Sequence, residues 1–231
     1  MGHRRQLTAR ALHEALGTLA HAVDPAGGSL EVSLPTQDVP RTKVASLLRD
    51  RAMRAHRIPD VAPDDVGTFA AFLDGVQESR VLAYVGTVPI VHGRSGAVVR
   101  ARVERRLVTW GHAPLIDEAL YAPIAALPPA VVETLQATGT PLVDTTDDAV
   151  PLDEVHPQQM LRRAVHQVQR GREALEQQLA DAWCAATPEA PLYVDGGLAP
   201  SATVLAGARA VGVIKSHHTL YATGAALATV M

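Results

Sequence analysis

The stretch from Pro157 to Ala186 constrains the fold of this chain more than any other. Proline is tolerated at the first position of a helix, where its missing N–H has no intrahelical partner. QQMLRRAVHQVQRGREALEQQLADAWCAA then runs without a breaker until Pro188 and Pro191. On a helical wheel Leu161, Val165, Val168, Leu175 and Leu179 fall within about 40° of one direction. A long helix with one apolar stripe must lie against another layer. The residues after it supply one: PLYVDGG reads as a buried strand, SATVLAGARA as a short helix and VGVIKS as a further strand.

Upstream, three runs read as consecutive strands: GTFAAFLDG, RVLAYVGTVPIV and AVVRARVERRLVTW. In the third, Arg100, Arg102, Glu104 and Arg106 alternate with Val99, Ala101, Val103 and Leu107, Arg105 being the exception. One face is therefore wet and the other buried. Short connections favour antiparallel neighbours, because parallel pairing needs a crossover of a dozen or more residues. Residues 1–66 read as a mainly helical extension, with helices over Thr8–Val23 and Thr42–Ala55 and a short strand through Leu30, Val32 and Leu34. Residues 111–156 read as an insertion, in which LIDEALYAPIAAL is helical, PPAVVETLQATG is a helix ended by Gly139, and DTTDD is an acidic loop. Residues 67–231 then form an α/β domain with a mixed sheet: three antiparallel strands, an insertion, and helix–strand–helix–strand. That element order is the one found in the ribonuclease H-like fold.

Composition excludes several classes. Lys and Arg number 21 against 24 Asp and Glu, a net charge of −3, so there is no generally basic coat and any nucleic-acid contact is a local patch. Cys184 is the sole cysteine, which rules out an intramolecular disulfide framework and fits a reducing, cytoplasmic setting. No apolar run approaches the roughly 20 residues a membrane helix needs.

Acidic residues recur at element ends. Asp74 closes the first strand as read here, Asp195 closes the strand after the long helix, and both are followed by glycine. Asp-Gly after an apolar run is also a plain turn signal. On the helix, Glu176 lies about 60° from the centre of the apolar stripe and Glu173 about 120°, so Glu176 borders the packed face. It also stands one turn from Arg172, a spacing that suits a surface ion pair. Converging carboxylates suit divalent cations with hard oxygen ligands, Mn²⁺ or Mg²⁺, and such ions catalyse phosphodiester hydrolysis. Arg94, Arg100, Arg102, Arg105 and Arg106 concentrate positive charge where a DNA backbone could lie, or else protect a wet sheet face from unwanted pairing. With aromatic residues at 3%, an extensive base-stacking platform is not expected. His92, His112, His156 and His166 lack ligand spacing and read as surface or loop residues.

FLDGVQ, RGREALEQQLADAW, YVDGGL and VGVIKSHHTLY, in that order from about Phe69 to Tyr221, resemble the motifs of the NurA nuclease family. The resemblance implies a ribonuclease H-like fold, Mn²⁺- or Mg²⁺-dependent cleavage of single- or double-stranded DNA ends, a homodimer, and a HerA-type hexameric ATPase as partner. It implies Asp74, Glu176 and Asp195 as metal ligands. In that family the last helix commonly supplies a further acidic or histidine ligand beyond the point where this chain stops, so either the chain is a fragment or Lys215, His217 or His218 substitutes. Lys215 could neutralise a phosphate oxygen, and a histidine could bind a metal or carry a proton. Two other classes fit the same residues: a non-catalytic subunit that binds DNA or an ATPase, and an actin-like nucleotide-binding protein. The absence of G-x-x-x-x-G-K-[ST] argues against a P-loop enzyme.

Overall fold

The computed structural model describes residues 14, 16–17, 21–22, 30, 41–42, 69–147, 155–198, 209–213, 219–220 and 222–230. In chain order the elements are β1 (His21–Ala22), β2 (Arg41–Thr42), β3 (Ala71–Val85), β4 (Val88–Val103), β5 (Arg106–Thr109), β6 (Leu115–Ala122), α1 (Pro129–Ala137), β7 (Leu142–Asp144), α2 (Pro157–Ala186), β8 (Leu192–Asp195), β9 (Ala210–Val213), β10 (Thr219–Leu220) and α3 (Gly224–Val230). The protein is α/β. One large mixed sheet has the order β7-β6-β4-β3-β8-β9, with β1 added to β3 and β5 to β4. The strands β2 and β10 pair with each other in parallel.

The first three strands of the sheet are antiparallel, as expected, but their boundaries differ from the sequence reading. The first run and half of the second are one strand, β3, which reverses at Gly86-Thr87 into β4. Gly86 takes φ 59° at the first central position, the place where a tight hairpin of the II′ kind requires glycine. Asp74 therefore does not end a strand; it is the fourth residue of β3 and pairs with Val98. The third run is also divided. Glu104 and Arg105, both at positive φ, form the turn between β4 and β5, which explains why Arg105 broke the alternation. The third long antiparallel strand is instead β6, in the segment read as helical. Ile116, Ala119 and Leu120 sit at helical spacing, but β4 offers them a free edge, and long-range pairing overrides a weak local preference.

Helix α1 is as expected, with Gly139 at φ 74° just beyond it, and α2 has its expected bounds. His156 caps α2 through its Nδ1, which accepts from the Gln158 N–H at 3.1 Å. β8 and β9 pair in parallel, as the α/β reading of the second half requires. The expected helix over SATVLAGARA lies outside the described residues except for its last two positions, of which Ala210 is in β9. In the N-terminal portion His21–Ala22 is a strand paired with Tyr84 and Ala83, and Leu30 is helical; both differ from expectation.

α2 lies across one face of the sheet. Along β3 and β4 the residues facing it are Ala71, Leu73, Ala97, Val99 and Ala101, and they enclose Leu179, Ala180, Trp183 and Cys184 together with Leu192 and Val194 of β8. Further along the helix, Leu161, Ala164 and Val168 meet Val91, Ala119 and Tyr121. Gly93 permits that approach, since a Cβ there would stand 2.6 Å from the Tyr121 ring. A bulge in β3 between Val81 and Ala83 shifts the register, and beyond it Ala83 and Ile90 join Leu120, Val131, Leu135, Met160 and Leu16 in a third cluster. The opposite face near Asp74 is left open: Val76 and Ile116 are 69% and 58% exposed. Among the described residues no helix is long and apolar enough to cross a membrane.

Candidate functional site

β3 and β8 run parallel with Phe72 beside Tyr193 and Leu73 beside Val194. The two strands carry the same kind of sequence, Phe-Leu-Asp-Gly and Tyr-Val-Asp-Gly, in register. Asp74, within β3, and Asp195, at the end of β8, thus stand one position beyond that last pair on adjacent strands, which lie about 4.8 Å apart. The aliphatic member of each motif is buried under α2. Gly196, at φ 106°, lets the chain leave β8 directly after Asp195.

Glu176 reaches the same region from α2. Its carboxyl group lies over Gly75, where a Cβ would come within 2.9 Å of its Cδ and displace the Glu176 side chain. Glu176 is buried, whereas Glu173, the alternative helix acid, is exposed and accepts from Gln169. The Arg172 guanidinium donates to Glu176 at 2.6 Å and to the Gln77 amide oxygen at 3.1 Å, clamping helix to strand. Burial raises the pKa of Glu176 above the usual carboxylate value, Arg172 opposes that rise, and the charges of Asp74 and Glu173 add to it.

These groups border two clefts. One, of about 180 Å³, lies on the helix side and is lined by Arg172, Glu176, Asp195 and Gly196. The other, of about 520 Å³, lies on the open face and is lined by Asp74, Val76, Glu78, Arg94 and Ile116. The three predicted carboxylates therefore gather around Gly75 without forming one shell. Among the described residues no three His, Cys, Asp or Glu side chains stand close enough to hold a metal ion. Asp74 and Asp195 carry the hard oxygen donors that a divalent cation takes and sit at neighbouring backbone positions, but they line different clefts, and Glu176 is bonded to Arg172.

The arginines fall out unequally. Arg94, Arg100 and Arg102 are exposed on β4 at positions that alternate with its buried residues, on the same sheet face as the open cleft. Arg100 donates to the Thr109 hydroxyl and to the Leu107 carbonyl, both neutral, so its charge stays uncompensated by these bonds while its position is fixed. Arg106 is exposed on β5, and Arg105 is in the turn. Lys215, His217 and His218 lie outside the described residues. His92 is not a loop residue: it pairs with Glu118 at 2.7 Å between β4 and β6. The acid at the start of DTTDD, Asp144, is structural, accepting from the N–H groups of Ile124 and Thr146.

Reading single elements missed three participants: Gln77, Gly75 as the seat of Glu176, and the pairing of the two aromatic–aliphatic–Asp-Gly motifs. The last had a signal in the sequence, since FLDG and YVDG share one pattern. No family model matches this chain, and no curated protein or solved structure matches it.

Proposed function

We propose that this chain is a metal-dependent deoxyribonuclease of ribonuclease H-like architecture, similar to the NurA nucleases that process DNA ends. The observation that carries the reading is the register of β3 on β8, which sets Asp74 beside Asp195 at the end of β8, with Glu176 across Gly75. The strand order supports it too: three antiparallel strands, then two parallel ones added beside the first, with a long helix in the crossover.

Asp74 and Asp195 would hold Mn²⁺ or Mg²⁺. Such an ion polarises the phosphodiester and lowers the pKa of its bound water. Arg172 orients Glu176 and keeps a positive charge at the helix-side cleft. Arg94, Arg100, Arg102 and Arg106 supply guanidinium groups for phosphate oxygens, which positions DNA without reading its sequence. By the same likeness the protein works as a homodimer with a HerA-type ATPase; its single cysteine fits the cytoplasm, and Lys215 and His217 substitute for the further ligand that the family's last helix commonly supplies.

Cleavage of linear and single-stranded DNA with Mn²⁺ tests the reading, comparing the wild type with Asp74→Ala and Asp195→Ala. Loss of cleavage in both variants is expected; equal activity in all three overturns it. The Arg172–Glu176 pair favours one second reading, a non-catalytic subunit that binds DNA or an ATPase, because that pair satisfies the buried acid without an ion. Calorimetry separates the two: DNA binding without any Mn²⁺ binding supports the second.

A further inference from the structure

The chain contains only two phenylalanines and four tyrosines, yet both phenylalanines and Tyr193 meet at one place. Phe69 stands edge-on to Tyr193 with centroids 5.2 Å apart, and Phe72 lies 5.6 Å from Tyr193. None of the three belongs to a buried core cluster, and each remains partly exposed. Phe72 alternates with buried Ala71 and Leu73 on β3, and Tyr193 alternates with buried Leu192 and Val194 on β8, so both rings leave the sheet on the face away from α2. Across that face the register runs Tyr193, Phe72, Arg100, and the next position along β3 on the same side is that of Asp74.

A ring patch that is only half covered, one row from the Asp74 carboxylate and next to a guanidinium whose bonds are to neutral oxygens, has the makeup of a nucleotide site. The rings match a base, Arg100 matches a phosphate, and Arg102 extends the positive charge along the same face, whereas Arg94 stands in register between Glu78 and Glu118. We infer that Phe72 and Tyr193, backed by Phe69, form a stacking platform for an unpaired nucleobase of a DNA strand, so that the ligand taken on this face is a single-stranded end. The inference rests on the nuclease reading for its choice of DNA; the charge complementarity of the face carries the choice of a polyanion. Double-stranded DNA keeps its bases stacked and paired, and reaches the platform only after its end has frayed.

The test is binding of fluorescein-labelled oligothymidine by the full chain in EDTA, compared with a fully abasic strand of equal length. Phe72→Leu and Tyr193→Leu are each expected to weaken oligothymidine binding about tenfold, and to leave abasic binding unchanged. Tyr193→Phe is expected to bind like the wild type. Oligothymidine binding unchanged in both leucine variants overturns the platform, as does an equal loss on the abasic strand. Because no divalent ion is present, the outcomes separate from those of the nuclease reading. A wild type that binds through the rings but never cleaves with Mn²⁺ overturns the nuclease and leaves the platform standing, whereas a wild type that does not bind DNA overturns both.

Discussion

Gly75 is the residue on which the carboxylate arrangement turns. A methyl group there would occupy the place of the Glu176 carboxyl, and Glu176 would have to leave Arg172. Separating a largely buried ion pair leaves an uncompensated charge, so Gly75→Ala is expected to destabilise the protein by about 2–3 kcal/mol. The midpoint of urea unfolding checks this, and an unchanged midpoint contradicts it. Glu176 also carries a pH prediction. Its folded pKa is raised by burial, so the native state holds a proton that the unfolded chain has already released. This group therefore makes stability decline as pH rises from the ordinary value of 4.5 through the raised folded one. Glu176→Gln removes that part of the decline, and the variant is expected to gain on the wild type as pH increases across the window; parallel stability curves would contradict it. The choice of Glu176 over Glu173 was legible, because a helical wheel reports which side chains border the packed stripe. Its seat on Gly75 was not, because no local pattern in either segment encodes a contact between two residues so far apart in the chain.

Among the elements, the hairpin joining β4 to β5 shows what alternation can and cannot reveal. Arg100, Arg102, Glu104 and Arg106 keep a period of two straight through a chain reversal, so the alternation predicts strand on both sides and conceals the turn. Glu104 at φ 48° and Arg105 at φ 63° occupy the left-handed region, which costs a side chain about 1–2 kcal/mol per residue. Replacing them together by Asn and Gly is expected to raise the melting temperature by a few degrees, at roughly 2–4 °C per kcal/mol for a chain of this size. A calorimetric scan that shows no rise would contradict this account of the turn. The helical expectation over β6 fails for a related reason: eight residues with apolar groups at mixed spacing satisfy either period, and the open edge of β4 decides between them. The expectation for α2 holds because its stripe persists over many turns and prolines bracket it.

For the whole molecule, a net charge of −3 coexists with a stripe of arginines on the sheet face that carries the open cleft. On the proposed reading, DNA binding depends on that face. Arg94→Ala and Arg102→Ala should each weaken binding of all sequences alike and reduce the slope of log K against log salt by about one. Fluorescence anisotropy at several salt concentrations measures the slope, and an unchanged slope in both variants would move the DNA elsewhere. Sequence by itself determined the α/β class, the long helix and the strand after it, since each is written in the periodicity of one continuous segment. Only the tertiary structure decided that FLDG lies in register with YVDG, that β6 is a strand, and that Glu176 meets Arg172 above Gly75 instead of closing a shell with the aspartates. The reason is physical: periodicity reports which face of an element is buried, whereas partner and register are set by closing the chain over long separations, where packing of the entire sheet and helix selects one alignment.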